Sequence, residues 1–171
     1  MAGEEMTGRK GQPYTPWEIT MVSEWVSRTF PDARFSTNFR LGPIQPRAPD
    51  GTYSADELTI IGVWRRRVDT LVYLSDRLLL VEGVMRADPG KIAVLKLYEK
   101  LIPQTPELAE FSHLPIQKVL LYCIEDPVLN VLAAEEGILA IQYIPSFFDS
   151  WFNKLRGFEK RAPQWGFLQE K

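Results

Sequence analysis

Apolar residues recur along this chain in two rhythms, and the switches between them mark out its elements. Thr15-Pro16-Trp17-Glu18 sets a threonine cap before a proline at the first helical position, with a glutamate three residues after the cap. The pattern predicts a helix to about residue 29, with Trp17, Met21, Trp25 and either Val22 or Val26 turned inward, ending before Pro31. Residues 34–41 alternate as a strand with one buried face does: Phe35, Thr37, Phe39 and Leu41 on one side, Arg34, Ser36, Asn38 and Arg40 on the other. Gly42-Pro43 closes that strand, and three prolines with Asp50-Gly51 make residues 43–54 a loop.

Residues 57–67 fit a short helix or turn leading into a second strand that runs to about residue 74. After the polar break Ser75-Asp76-Arg77, a third strand is expected to about residue 85. Asp88 then caps a helix over residues 89–101. A link with Pro103, Pro106 and Pro115 leads to a strand over 117–124, a helix opened by Asp126-Pro127 and ending near 135, and a short strand over 138–143. Residues 147–155 complete the pattern as a helix with a Phe/Trp face. The order predicts an α/β domain with a mixed sheet and helices on its faces. Residues 1–14 read as a flexible arm, 15–157 as the domain and 158–171 as a tail.

Composition narrows the function classes. At 171 residues with 45% hydrophobic and 25% charged positions, the chain suits one soluble domain. No apolar run approaches the roughly 20 residues that span a bilayer, so no membrane partner is expected. Cys123 is the only cysteine, within the apolar run Val119-Leu120-Leu121-Tyr122-Cys123-Ile124, and reads as a small buried side chain. With His113 the only histidine, a catalytic triad or a His-rich zinc site has little support. The net charge of −2 gives no global attraction for polyanions. Residues 61–100, however, hold eight Lys/Arg against five Asp/Glu, a local basic surplus.

The candidate chemistry lies in that stretch. Asp69 and Glu82 each interrupt an apolar strand, thirteen residues apart across a short break. Strict alternation puts Asp69 on the face of Leu71 and Tyr73, and Glu82 on the face of Leu80, Val84 and Arg86. A carboxylate in a strand is costly unless it is paired or binds a cation. On neighbouring strands the two acids would meet at one Mg²⁺-type site; the competing reading is a pair of strand-end carboxylates, solvated or paired with Arg65–Arg67. Phe147, Phe148, Trp151 and Phe152 recur at helical spacing and read as packing or an interface rather than a base-stacking platform.

A set of short motifs carries a resemblance. Val22-Ser23-Glu24-Trp25, Phe39-Arg40-Leu41-Gly42-Pro43, Trp64-Arg65-Arg66-Arg67-Val68-Asp69, Leu80-Val81-Glu82-Gly83-Val84-Met85-Arg86-Ala87-Asp88-Pro89-Gly90 and Leu97-Tyr98 together resemble small, phage-type members of the PD-(D/E)XK nuclease superfamily. That resemblance implies an αβββαβ core and metal-dependent hydrolysis of DNA with Mg²⁺ or Mn²⁺. It places Asp69 and Glu82 on the metal-binding acids, with Glu24 or Glu18 as an acid from the first helix. The family's lysine falls on Val84 and its helix glutamine on Val94, while Tyr98 keeps the tyrosine. Lys91, on the helical face of positions 94 and 98, is the candidate to supply the missing cation to the catalytic set, and an ordinary solvated lysine is the alternative. Arg65, Arg66, Arg67 and Arg86 would contact the DNA backbone. The alternative is a catalytically inactive relative: a DNA-contacting structural protein, such as a head–tail component of a phage virion, contacting other virion proteins or forming a homo-oligomer. The implied location is the bacterial cytoplasm or the virion.

Overall fold

A computed structural model describes residues 17–44, 54, 56 and 65–159 of the chain. Helix α1 (Trp17–Thr29) precedes strands β1 (Arg34–Leu41), β2 (Arg66–Tyr73) and β3 (Leu78–Arg86). Helix α2 (Gly90–Leu101), strand β4 (Ile116–Ile124), helix α3 (Pro127–Glu135), strand β5 (Ile138–Gln142) and helix α4 (Phe148–Glu159) follow. The five strands form one mixed sheet in chain order. β1, β2 and β3 pair antiparallel, whereas β3, β4 and β5 pair parallel, with α2 and α3 as the crossovers that parallel pairing requires. The protein is therefore an α/β fold. The reading of residues 57–67 as a short helix or turn falls largely outside the described residues, as do the loop tip, the N-terminal arm and most of the tail.

The sheet separates two apolar layers. Leu71, Leu78, Leu80, Val84, Leu120 and Ile138 pack against Ile92, Leu95 and Tyr98 of α2 and Leu129 and Ala133 of α3. On the opposite side Val72, Leu79, Val81, Val119, Leu121 and Cys123 pack against Met21, Val22, Trp25 and Val26 of α1, with Phe148 and Trp151 of α4 at the margin. The aromatic face of α4 is thus a packing face: Phe147, just before it, lies 5.1 Å from Trp17 between ring centroids. Among the described residues no helix is long and apolar enough to cross a membrane.

Three features depart from the expectations drawn from pattern. The proline-rich link is folded into two short 3₁₀ turns, Ile102–Gln104 and Pro106–Phe111. Between them the buried Thr105 hydroxyl accepts the Gly42 amide (2.9 Å) and donates to the Leu101 carbonyl (2.8 Å), so the link is pinned to the end of β1. Helix α4 runs four residues beyond its expected end. The third departure matters most for the site: β1 does not present Phe35, Thr37, Phe39 and Leu41 to one side.

Partners across an antiparallel ladder point the same way. Phe35 faces Val72, which belongs to the α1 layer, whereas Phe39 and Leu41 lie in the α2 layer. The switch falls at Asn38, whose φ of 51° is left-handed, a conformation asparagine tolerates better than most side chains. Opposite it, β2 slips as well, because Val68 and Leu71, three residues apart, both enter the α2 layer. Asp69 sits at this slip, so strict alternation with Leu71 and Tyr73 does not set its direction.

Helix α1 crosses β3 at Gly83, where there is no room for a side chain. A Cβ there would stand 2.7 Å from Val22 Cγ2, 3.0 Å from Met21 Cε and 3.1 Å from the Glu18 carbonyl oxygen. Gly83→Ala is expected to lower unfolding free energy by about 1–3 kcal/mol, the usual cost of overpacking a close contact. Urea denaturation provides the check, and an unchanged midpoint would mean that α1 does not lie this close to β3.

Candidate active site at the strand fork

The β2–β3 ladder is short. Its pairs run from Tyr73–Leu78 to Thr70–Val81 and stop, although β2 continues back to Arg66 and β3 on to Arg86. β2 stays paired with β1 as far as Leu41–Arg66, and β3 stays paired with β4 as far as Arg86–Ile124. The sheet therefore forks, and the residues at the crotch are Asp69 and Glu82.

Each acid bonds across the gap. The Asp69 amide donates to Glu82 Oε1 (3.0 Å), and the Gly83 amide donates to Asp69 Oδ2 (2.9 Å). Two backbone donors that lose their ladder partners at the fork are satisfied by side chains instead. Glu82 is 2% exposed, and its second oxygen, Oε2, accepts from Lys91 Nζ at 2.6 Å. Lys91 lies in the first turn of α2, whose start is fixed by Asp88: its carboxylate takes the Gly90 amide (2.8 Å) and its carbonyl the Lys91 amide (3.1 Å). Seven residues further along α2, the Tyr98 hydroxyl donates to the Arg67 carbonyl (2.8 Å). Helix α2 is thereby fastened to both prongs, through Glu82 on β3 and Arg67 on β2.

The electrostatics follow from crowding charge into a dry place. Burial raises the Glu82 carboxyl to about 7, the neighbouring Asp69 charge pushes the same way, and Lys91 opposes both. Burial also raises Asp69, offset in part by the Gly83 amide and Lys91 and reinforced by Glu18 of α1. Burial alone would lower the Lys91 ammonium, but the Glu82 ion pair outweighs it and holds the value above the ordinary one. Tyr98 is raised by burial and then by the Glu82 charge. Asp69, Glu82, Lys91 and Tyr98 thus form one electrostatic unit, an arrangement concentrated at functional sites.

Other residues singled out from the sequence lie elsewhere. Glu24 is not part of the cluster: it accepts from the Tyr143 hydroxyl (2.9 Å) and from the Ser146 amide (3.0 Å) and hydroxyl (2.7 Å), and pairs with Arg28 (3.2 Å). It anchors the segment before α4, and the α1 acid whose charge is felt at Asp69 is Glu18. Arg65 is likewise committed. Its guanidinium grips Glu107 through two bonds (2.6 and 2.9 Å) and the Arg40 carbonyl through a third (2.9 Å), and its side chain is 8% exposed. That geometry ties the entry of β2 to a 3₁₀ turn and leaves no fork of donors for phosphate. Arg66 and Arg67 are exposed on the β2 prong, and Arg86 is exposed at the end of β3, four residues or roughly 13 Å along the strand from Glu82. Val84 is buried in the α2 layer beside Leu80 and Tyr122, and Val94 packs at the edge of the same layer.

Gly83 lets α1 close over the fork, and Asn38, which strand alternation does not mark as special, is where the strands slip. The signal for Asn38 was a turn-forming residue inside an otherwise clean alternation. Gly83 carried the weaker signal of a glycine inside an apolar strand.

No protein-family model matches this chain, and no curated protein does. A crystal structure of a protein of unknown function, AF1548, is similar over 81% of this chain and 67% of its own, with a TM-score of 0.45 and 9% identity.

The Glu82 value has a measurable sign. Because its folded value of about 7 exceeds the ordinary 4.5, the folded state binds more protons between those limits. This stabilisation is fully present below pH 4.5 and is lost as pH rises through about 7. Glu82→Gln, which mimics the protonated acid, should gain stability relative to the parent across that window. Urea midpoints from pH 4.5 to 8 read the difference, and a pH-independent gap would exclude a raised Glu82.

Proposed function

We propose that this protein is a metal-dependent phosphodiesterase acting on DNA, built on a PD-(D/E)XK-like core, with Asp69 and Glu82 at its centre. The observation that carries the reading is the placement of a buried carboxylate, Glu82, beside a half-buried one, Asp69, at a fork in the sheet with the Lys91 ammonium on the first. Mutual repulsion between two acids in a poorly hydrated site works against the fold, and a bound cation would relieve it.

The donor set suits a small, hard cation. Mg²⁺ and Mn²⁺ prefer oxygen ligands and commonly take one or two carboxylates, leaving other positions for water and phosphate oxygens. Asp69 and Glu82 would hold the ion, which when bound would acidify a water and offset charge on the scissile phosphate.

The chain's own groups supply the rest. Lys91 brings a positive charge to within reach of any phosphate seated at the fork and stands in for the cation missing at Val84. Tyr98 holds the β2 prong in place through the Arg67 carbonyl. Arg66 and Arg67 on that prong, and Arg86 on the other, are exposed and suited to sequence-independent backbone contacts along a strand of DNA.

A second reading is favoured by one observation: both oxygens of Glu82 already accept an N–H, so that acid is satisfied without a metal. On that reading the protein is an inactive relative that contacts DNA as a structural component, as at the neck of a phage virion.

Nicking of supercoiled plasmid in Mg²⁺ or Mn²⁺ separates the two. The parent should nick, and Asp69→Ala should lose about 100-fold or more of that rate, as expected when a metal site is dismantled. Equal cleavage by the variant would place the activity elsewhere, and no cleavage by either protein would favour the structural reading.

A further inference from the structure

The ion pair at the fork bears on how the site would take up its cation. Glu82 has two oxygens, and their surroundings differ. Oε1 is tied inward to the Asp69 amide, a backbone group that cannot leave without opening β2. Among the described residues Oε2 is held by Lys91 Nζ alone, at 2.6 Å. Oε2 is thus the oxygen of Glu82 that turns away from the strand backbone, and a cation approaching it meets the ammonium already there.

The lysine is built to move. Its side chain is 28% exposed, against 2% for that of Glu82, so one end of the ion pair faces water while the other does not. Its main chain stays in place, because Asp88 fixes the start of α2 through the Gly90 and Lys91 amides. Displacement therefore needs only rotation about side-chain torsions and leaves helix and strands as they are.

From this geometry we propose that the Lys91 ammonium is the resident counter-ion of the carboxylate pair, occupying the place of a divalent cation and yielding it when the ion arrives. The inference rests on the proposed metal-dependent reading and adds to it a determinant of affinity. Lys91 lowers the affinity of the site for the metal, since part of the binding free energy goes into breaking its ion pair. It also keeps the metal-free protein folded by neutralising one of two adjacent acids. Once displaced, the ammonium remains tethered one side-chain length from the fork, in reach of a phosphate oxygen.

The test uses the full chain stripped of metal and titrated with Mn²⁺ at pH 8, above the Glu82 value of about 7. Binding is followed by calorimetry and by thermal unfolding, with no activity readout. Lys91→Met should unfold at a lower temperature than the parent without metal, yet bind Mn²⁺ about tenfold more tightly, the scale expected from removing a competing charge. Lys91→Arg, which keeps the charge, should bind no more tightly than the parent, and Lys96→Met should match it.

A parent that binds Mn²⁺ alongside a folded Lys91→Met that binds equally or less tightly would overturn the counter-ion role while leaving the metal site standing. No binding by either would overturn the metal-dependent reading, and the counter-ion role with it. A measurement on the unmutated protein covers the case in which Lys91→Met does not fold. The side-chain NMR resonances of Lys91 should move to those of a solvated lysine when Mg²⁺ is added, and resonances that stay put while Mg²⁺ binds would overturn the proposal.

Discussion

The reciprocal bonds at the fork are the constraint on which the site depends. An antiparallel pair that parts company leaves amides facing each other with nothing between them, and unmade backbone bonds in a dry place are expensive. Here Asp69 and Glu82 each reach across to the amide that the other strand has lost. The exchange solves one problem and creates another, because two acids now share a buried spot. Their raised proton affinities and the Lys91 ion pair are the two ways in which the molecule relieves that repulsion.

The surrounding packing is arranged to hold this compromise. From one side α1 presses onto β3 at Gly83, which brings Glu18 close enough for its charge to be felt at Asp69. From the other, α2 carries Lys91 and Tyr98 on one face, while Ile92 and Leu95 fill the core beneath it. Further along the helix, Glu99 receives Lys118 of β4 at 2.6 Å, a second ion pair joining α2 to the sheet. The site is thus set by the two layers that flank the sheet rather than by a surface loop.

Much of this arrangement was open to a reading of the chain alone. Alternating and helical periods, with cap and proline signals, gave helices α1 to α4 and strands β1 to β5, because most of their apolar sets face a layer; the two 3₁₀ turns left no such period. Hairpin spacing puts Asp69 and Glu82 on neighbouring strands, with solvated strand-end acids as the alternative, whereas Lys91 enters only through the resemblance, with a solvated lysine as its alternative. What pattern did not provide was side-chain commitment. Arg65 and Glu24 look like free charges in the sequence, but Glu107 and Ser146, 42 and 122 residues away, occupy them. Partners so distant in the chain leave no periodic trace. The face swap at Asn38 was hidden for another reason: a single left-handed residue shifts the phase of a strand without changing its composition.

The attachment of α2 to both prongs has a mechanical consequence. With Lys91 fixed to β3 and Tyr98 to β2, the helix acts as a strut across the gap, and widening the sheet at that point pulls on both anchors at once. Tyr98 ties the helix to the β2 prong and Glu99 ties it to β4, so release of the Lys91 end alone leaves the helix anchored at two further points. A guest that displaces the ammonium is then accommodated by the swing of one side chain, with helix and strands left in register.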